Sequence, residues 1–404
     1  MTEIILAKHN ALKDRPMKED TKIVRAGRHP ERFEGAVNPP VFHASTILRP
    51  TLDAMDAAMG AKGKVTLYGR RGTPTQFAFE EAVTEIEGGF TGFSYPSGLA
   101  AIAAAMIAFA EQGAHFLVTD SAYAPARRLC ETLLKRFGVT TTYYDPLTGA
   151  GIEALIRPNT KIVFTESPGS LTFEVQDIPA IAAAAHARGV KVLMDNTWAS
   201  PLFFKPFEHG VDVSIQAATK YIVGHSDAML GTVTTTEACA DAVQMATQVL
   251  GYHTAPDDAY LGQRGIRTLG VRMRQHHING IALATWLKNR PEVKKVMHPA
   301  LPDDPGHALW KRDFTGASGL FGTVFEAGTR KQLAAFVDGL VLFGMGASWG
   351  GYESLCLPTH PEKVRSVTPW DHAGPTIRFH AGLEDIGDLI ADLDAAFARW
   401  NAAK

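Results

Sequence analysis

Val211-Asp-Val-Ser-Ile-Gln-Ala-Ala-Thr-Lys-Tyr-Ile-Val-Gly-His-Ser-Asp-Ala-Met-Leu-Gly231 is the stretch on which the reading of this chain turns. Its alternating apolar residues predict a strand ending near Ala217, followed by Thr219, Lys220 and a turn at Gly224. An amine is thereby held at a strand end beside a small hydroxyl, a placement that suits a lysine forming a Schiff base. Upstream, Val192-Leu-Met-Asp195-Asn196 predicts a second buried strand that ends in a carboxylate, the partner that a pyridinium nitrogen requires.

Working outward, strands and helices alternate. His115–Thr119, Thr140–Tyr144, Lys161–Thr165 and Val190–Met194 predict strands; Pro125–Phe137, Ile152–Ile156 and Ile178–Arg188 predict helices between them. This order implies a largely parallel sheet covered on both faces, with ligands gathered beyond the carboxyl ends of its strands. Tyr123, in Thr119-Asp-Ser-Ala-Tyr123, falls at such an end, where its ring could stack on a planar cofactor or simply pack half-buried. Phe93-Ser-Tyr-Pro-Ser97-Gly98-Leu99 feeds an alanine-rich helix whose first-turn N–H groups suit an anion. Ordinary capping by Ser97 explains the same pattern equally well. Before the helical segment Gln76–Glu87, Leu67-Tyr68-Gly69-Arg70-Arg71-Gly72 offers guanidinium groups that match a phosphate or form a solvated face.

At 404 residues the chain has room for two domains with cores of their own. Forty basic and 42 acidic side chains leave a formal charge of −2, which gives no electrostatic reason to expect nucleic acid or an anionic membrane surface. The longest apolar run, Leu99–Ala110, falls short of the roughly 20 residues a bilayer demands and reads as a buried helix. Cys130, Cys239 and Cys356 show neither metal spacing nor a paired framework, which points to a reducing compartment, the cytoplasm by default. The first ten residues carry no pattern of a secretory leader. Three parts are expected: an arm over residues 1–70, irregular to about Ala61 and broken by Pro39, Pro40 and Pro50; a ligand-binding domain over 71–266; and a C-terminal domain over 267–404. The last contains a long amphipathic stretch from Leu261 to Lys288, strands near Gly319–Glu326, a helix at Lys331–Val337, and a final helix whose Ile386, Leu389, Ile390, Leu393, Phe397 and Trp400 form a core stripe. Arg378 stands isolated in the apolar strand Thr376–His380 and needs a carboxylate, from the protein or from a substrate.

The lysine, the strand-end carboxylate and the candidate phosphate cup together point to pyridoxal phosphate. From about Gly35 to Trp400 the set resembles the cysteine/methionine-metabolism family of pyridoxal-phosphate enzymes. That resemblance implies an α/β architecture, the fold-type I PLP-dependent transferase fold: a mostly parallel seven-stranded sheet with helices on both faces, an N-terminal arm and a smaller α+β C-terminal domain. It also implies a homotetramer built as a dimer of active dimers. By matching motif, Lys220 would carry the cofactor and later take the Cα proton, Asp195 would face the pyridine nitrogen, and Tyr123 would stack on the ring. Gly98, Leu99 and Thr219 would hold the phosphate from one subunit, with Tyr68 and Arg70 reaching it from the neighbour; Tyr68 could also deprotonate the incoming amine. Arg378, Ser348 and Trp349 would meet the substrate, a sulfur amino acid, with Tyr68 and Tyr123 beside it.

Several departures bear on chemistry. Many relatives place a serine near the lysine where this chain has Ala218, so one phosphate hydrogen bond is missing. Relatives that cleave at the γ carbon resemble Glu-Ser-Leu-Gly-Gly where this chain has Ala347-Ser348-Trp349-Gly350-Gly351, and they commonly carry an asparagine that Glu166-Ser-Pro-Gly-Ser-Leu lacks. Both differences favour β-elimination at a carbon–sulfur bond, turning cystathionine into homocysteine, pyruvate and ammonia in methionine biosynthesis, with cystine and other cysteine S-conjugates as further substrates. A γ-synthase or γ-lyase of the family is the alternative, and a regulator that keeps the fold is an alternative of another class. A nicotinamide oxidoreductase finds no Gly-x-Gly-x-x-Gly between strand and helix.

Overall fold

The computed structural model describes residues 17–61 and 63–403; the N-terminal stretch read for a leader lies outside them. Its first sheet contains β1 (Thr91–Tyr95), β2 (His115–Thr119), β3 (Thr140–Tyr144), β4 (Thr160–Glu166), β5 (Lys191–Asp195), β6 (Val213–Gln216) and β7 (Gly231–Thr235). The strand order is β1-β7-β6-β5-β4-β2-β3. β6, β5, β4, β2 and β3 run parallel, and β7 is antiparallel to both β6 and β1.

Central parallel strands are covered on both faces, so they are apolar throughout. The side chains alternate between two cores, as the two-residue period of a strand requires. Phe116, Val118, Ile162, Phe164 and Leu193 pack with the alanine-rich helix Gly98–Ile107. Their neighbours Leu117, Val163, Val192 and Met194 pack on the other face with helices Pro74–Glu87 and Ile178–Ala187.

A second sheet comprises β8 (Val293–Met297), β9 (Leu320–Phe325), β10 (Leu355–Thr359) and β11 (Thr376–His380), antiparallel in the order β10-β11-β9-β8. Phe321, Phe325, Ile377 and Phe379 form its core with Leu389, Leu393, Phe397 and Trp400 of the final helix, Ile386–Ala402. Each such side chain removed from water contributes roughly 1.5–3 kcal/mol. The stripe therefore docks this helix on the second sheet.

Two expectations change. The stretch from Leu261 to Lys288 is two helices, Pro256–Ile266 and Leu269–Lys288. At the break Arg272 Nη2 donates to the Gly265 carbonyl (2.7 Å), and Gly265 packs on the backbone of Ile222 and Val223, where a Cβ would come within 2.3 Å of a carbonyl oxygen. The arm is not irregular throughout: Glu19–Arg25 is helical and buries Ile23, and Leu52–Gly60 is helical, with Thr51 capping it through Ala54 N. Ion pairs from Glu19 to Lys205 and Asp20 to Arg274 tie the first of these to the body, contacts that no local pattern announces. No described helix is long and apolar enough to cross a membrane.

Candidate active site

Parallel strands that lie side by side deliver their carboxyl ends to one edge of the sheet. Here that edge carries Lys220 beyond β6, Asp195 at the end of β5, Glu166 at the end of β4, and Asp120 to Tyr123 beyond β2, with Glu166 and Asp195 in direct register. A cavity of about 560 Å³ opens at this edge. From the first sheet it is lined by Gly98, Leu99, Tyr123, Asp195, Thr219 and Lys220, and from the second by Ser348, Trp349 and Arg378.

Lys220 Nζ donates a hydrogen bond to Ser348 Oγ and lies 5.1 Å from the centre of the Trp349 ring. Burial, reinforced by the Arg378 charge, lowers its pKa from 10.5 to about 8, while Asp195 pulls weakly the other way. Ser348 adopts φ 78° and Gly350 φ 87°. A left-handed backbone at a serine costs of order 1–3 kcal/mol and persists only where its surroundings enforce it. The enforcing contacts are Arg378 Nη2 donating to the Ser348 carbonyl (2.7 Å) and Gly350 N donating to His380 Nε2 (3.2 Å). His380 Nδ1 donates in turn to the Glu353 carbonyl (3.1 Å), so the ring is neutral with its proton on Nδ1, and burial holds its pKa well below the usual histidine range.

Asp195 is buried, which raises its pKa against two hydrogen bonds to Oδ1, from Thr197 N (3.0 Å) and Thr197 Oγ1 (2.5 Å). Oδ2 takes no hydrogen bond from the described residues. A buried carboxylate oxygen on a cavity wall calls for a cation or an N–H. Opposite, the helix Gly98–Ile107 points its N-terminus at the cavity, and the N–H groups of Gly98 and Leu99 have no acceptor among the described residues. Glycine is required at 98, since a Cβ there would sit 2.5 Å from that of Ala217. Ser97 does cap this helix, through Ala100 N at 3.1 Å, and that cap leaves the Gly98 and Leu99 N–H groups free. These features fit pyridoxal phosphate: an amine for the aldehyde, an open carboxylate oxygen for the ring nitrogen and free amides for the phosphate. Thr219 lines the cavity as well, though its hydroxyl donates to the Leu230 carbonyl (3.0 Å) and accepts from Leu230 N (2.8 Å).

Tyr68 and Arg70 are not brought into this cavity by their own chain. Tyr68 is 45 % exposed, and Arg70 Nη1 donates to the Gln248 carbonyl (3.0 Å). The alanine that faces the cavity is Ala217; Ala218 points into the core, fully buried, so the missing hydroxyl belongs one position earlier than expected. The turn after β6, closed by Lys220 N on the Ala217 carbonyl, ends the strand's alternation and with it the ability to count faces.

Sequence reasoning passed over Glu166 as a site residue. Burial and the neighbouring Asp195 carboxylate raise its pKa well above the ordinary range, and its Oε2 accepts from Tyr123 N (2.7 Å), which fixes the start of the Tyr123 turn. Its position at a strand end was the available signal.

Comparison with known proteins follows the geometry. Residues 20–398 match the family described as Cys/Met metabolism PLP-dependent enzyme. "Cystathionine beta-lyase MetC" of Escherichia coli is 48 % identical over 389 residues, covering 95 % of this chain and 98 % of that one. "L-alanine/L-glutamate racemase" of Wolbachia pipientis is 41 % identical over 395 residues, covering 95 % and 98 %. Among solved structures, "Crystal structure of metB from Corynebacterium glutamicum" superposes with a TM-score of 0.86 at 30 % identity, covering 95 % of this chain and 98 % of that one.

Proposed function

Because the chain belongs to the Cys/Met metabolism PLP-dependent enzymes, we propose that it is a carbon–sulfur β-lyase that converts cystathionine and water to homocysteine, pyruvate and ammonia. The observation that carries this reading is the cavity itself: an amine lowered toward neutrality stands between the carboxylate of Asp195 and the guanidinium of Arg378, with the Trp349 ring beside it.

Bound at Lys220, pyridoxal phosphate supplies an electron sink that acidifies Cα of an attached amino acid and lets a group on Cβ depart. The protein does the rest. Asp195 Oδ2 would keep the proton on the ring nitrogen, Tyr123 would lie against the ring, and Gly98, Leu99 and Thr219 would receive the phosphate. Arg378 spends Nη2 on the Ser348 carbonyl, which leaves its other N–H groups for the substrate α-carboxylate. With that carboxylate held, Cα would come within reach of Lys220 Nζ, and burial that lowers this amine's pKa to about 8 makes it a better proton acceptor near neutral pH. Ser348 Oγ would steer that amine, with the Trp349 ring beside it.

Tyr68 and Arg70 would act in a second copy's cavity, within a homotetramer of two active dimers. Their exposure, together with that of Leu48 (85 %) and Val249 (80 %), supports a covered face there. Three free, buried cysteines support a cytoplasmic setting.

The test is the visible spectrum of the purified protein with pyridoxal phosphate, followed by product analysis on cystathionine. A cofactor band and pyruvate are expected. 2-Oxobutyrate would mean γ-cleavage, and an inverted amino acid without any oxo acid would place the protein with its racemase relative.

A further inference from the structure

One charged cluster beside the cavity takes no part in the chemistry above. Asp120, just beyond β2, is fully buried, yet its carboxylate is met from the far side by the connection between β10 and β11. The backbone N–H groups of Ser366, Val367 and Thr368 donate to it at 2.9, 3.0 and 3.0 Å, Ser366 Oγ at 2.7 Å and Arg365 Nε at 3.1 Å. From its own side Arg127 Nη1 donates to Asp120 Oδ1 (2.8 Å), and Arg127 Nη2 reaches across to Ser366 Oγ (2.8 Å). Arg365 Nη1 continues to Thr172 Oγ1 and Glu174 Oε1, both at 2.9 Å. Two carboxylates thus face two guanidiniums. Burial alone would push the Asp120 pKa up, but the hydrogen bonds from Thr368, Ser366 and Val367 outweigh it and hold the group well below the usual carboxylate range.

The connection that carries the clasped residues is also a wall of the cavity, to which it contributes Arg365 and, just before it, Pro361 and Val364. This cluster ties residues 365–368 to the end of β2, while further along the same connection Trp370 packs against the core and donates to Thr376 Oγ1 (3.2 Å). We propose that Asp120 is a positioning residue: by clasping residues 365–368 to the end of β2 it sets the outer limit of the substrate cavity, and so selects for the length of the sulfur substituent. The inference rests on reading the site as one for cysteine thioethers. Asparagine has nearly the shape of aspartate but turns an N–H₂ toward a ring of donors, so it loosens the wall without emptying the site.

The experiment compares unaltered holoenzyme with Asp120→Asn by amide hydrogen exchange over 361–368 and by kinetics on cystathionine and on the short thioether S-methylcysteine. Loss of a charge-assisted set should speed exchange at Ser366–Thr368 by at least about tenfold. The ratio of kcat/KM for cystathionine over S-methylcysteine should fall about tenfold, through KM for the long substrate, with kcat within about twofold. Arg127→Gln, which leaves the carboxylate and its three backbone contacts, should show the same split at smaller size and carries the test should Asp120→Asn not fold. Unchanged exchange, or equal losses of kcat and KM on both substrates, would overturn the proposal. Failure of the unaltered enzyme to cut cystathionine would sink the functional reading alone, and exchange would then decide the clasp.

Discussion

Replacing Lys220 by methionine should stabilise the apo protein at neutral pH, although it abolishes the proposed activity. The folded state holds this ammonium largely buried and near Arg378, which lowers its pKa from 10.5 to about 8. At about 1.4 kcal/mol per tenfold change in proton affinity, that fall costs the folded state about 3 kcal/mol. The sign follows from the direction of the shift. The folded value lies below the unfolded one, so the cost is fully present below about pH 8, where both states carry the charge, and is relieved as pH rises toward 10.5, where neither does. Urea unfolding of the two apo proteins, at one protein concentration, should show the methionine form more stable by about 3 kcal/mol at pH 7. Apart from a constant packing difference, the gap should close by about pH 10.5. A lysine protein that is the more stable at pH 7, or a gap indifferent to pH, would refute the claim that burial strains this amine. It would also remove the argument that Lys220 is poised to accept a proton.

Ala217→Ser should tighten cofactor retention about tenfold, because it sets a hydroxyl on the cavity wall beside the free amides, whereas Ala218→Ser should cost about 1–3 kcal/mol of stability by burying that hydroxyl in the core; dialysis followed by absorbance, and urea melts, read the two. Gly350→Ala requires an alanine at φ 87° with its Cβ 2.9 Å from that of Lys220, so kcat/KM should drop at least about 100-fold and the melting temperature should fall as well, as steady-state kinetics and calorimetry would show. Mixing two inactive proteins, Tyr68→Phe and Lys220→Ala, under conditions that exchange subunits should restore about a quarter of full activity if each cavity borrows its tyrosine from a neighbour; no recovery would confine Tyr68 to its own chain.

The sheet was readable wherever burial on both faces forced an unbroken apolar run, as in Phe116-Leu-Val118 and Ile162-Val-Phe164. β7 escaped because Thr232, Thr234 and Thr235 look polar on paper, though all three are buried and their β-branched carbons suit a strand. Lys220, Asp195 and Arg378 stood out since each puts a charge at a strand end or inside an apolar strand. Asp120 and His380 did not, because their partners, Ser366–Thr368 and Gly350, come from elsewhere in the chain and only the folded backbone unites them. Tyr68 is named through the family resemblance alone, and its own chain leaves it exposed and outside the cavity lining.

The cavity draws its halves from different sheets: the groups proposed to hold the coenzyme fall between 98 and 220, those proposed to grip the amino acid between 348 and 378. One apolar core bridges the seam, packing Met297, Leu320 and Val324 of the second sheet with Trp198 and Phe203 of the first domain, and Trp198 Nε1 donates across it to the Leu320 carbonyl (2.8 Å). Warming should therefore cost turnover and colour in one transition, since neither half can let go of its ligand while the other stays folded.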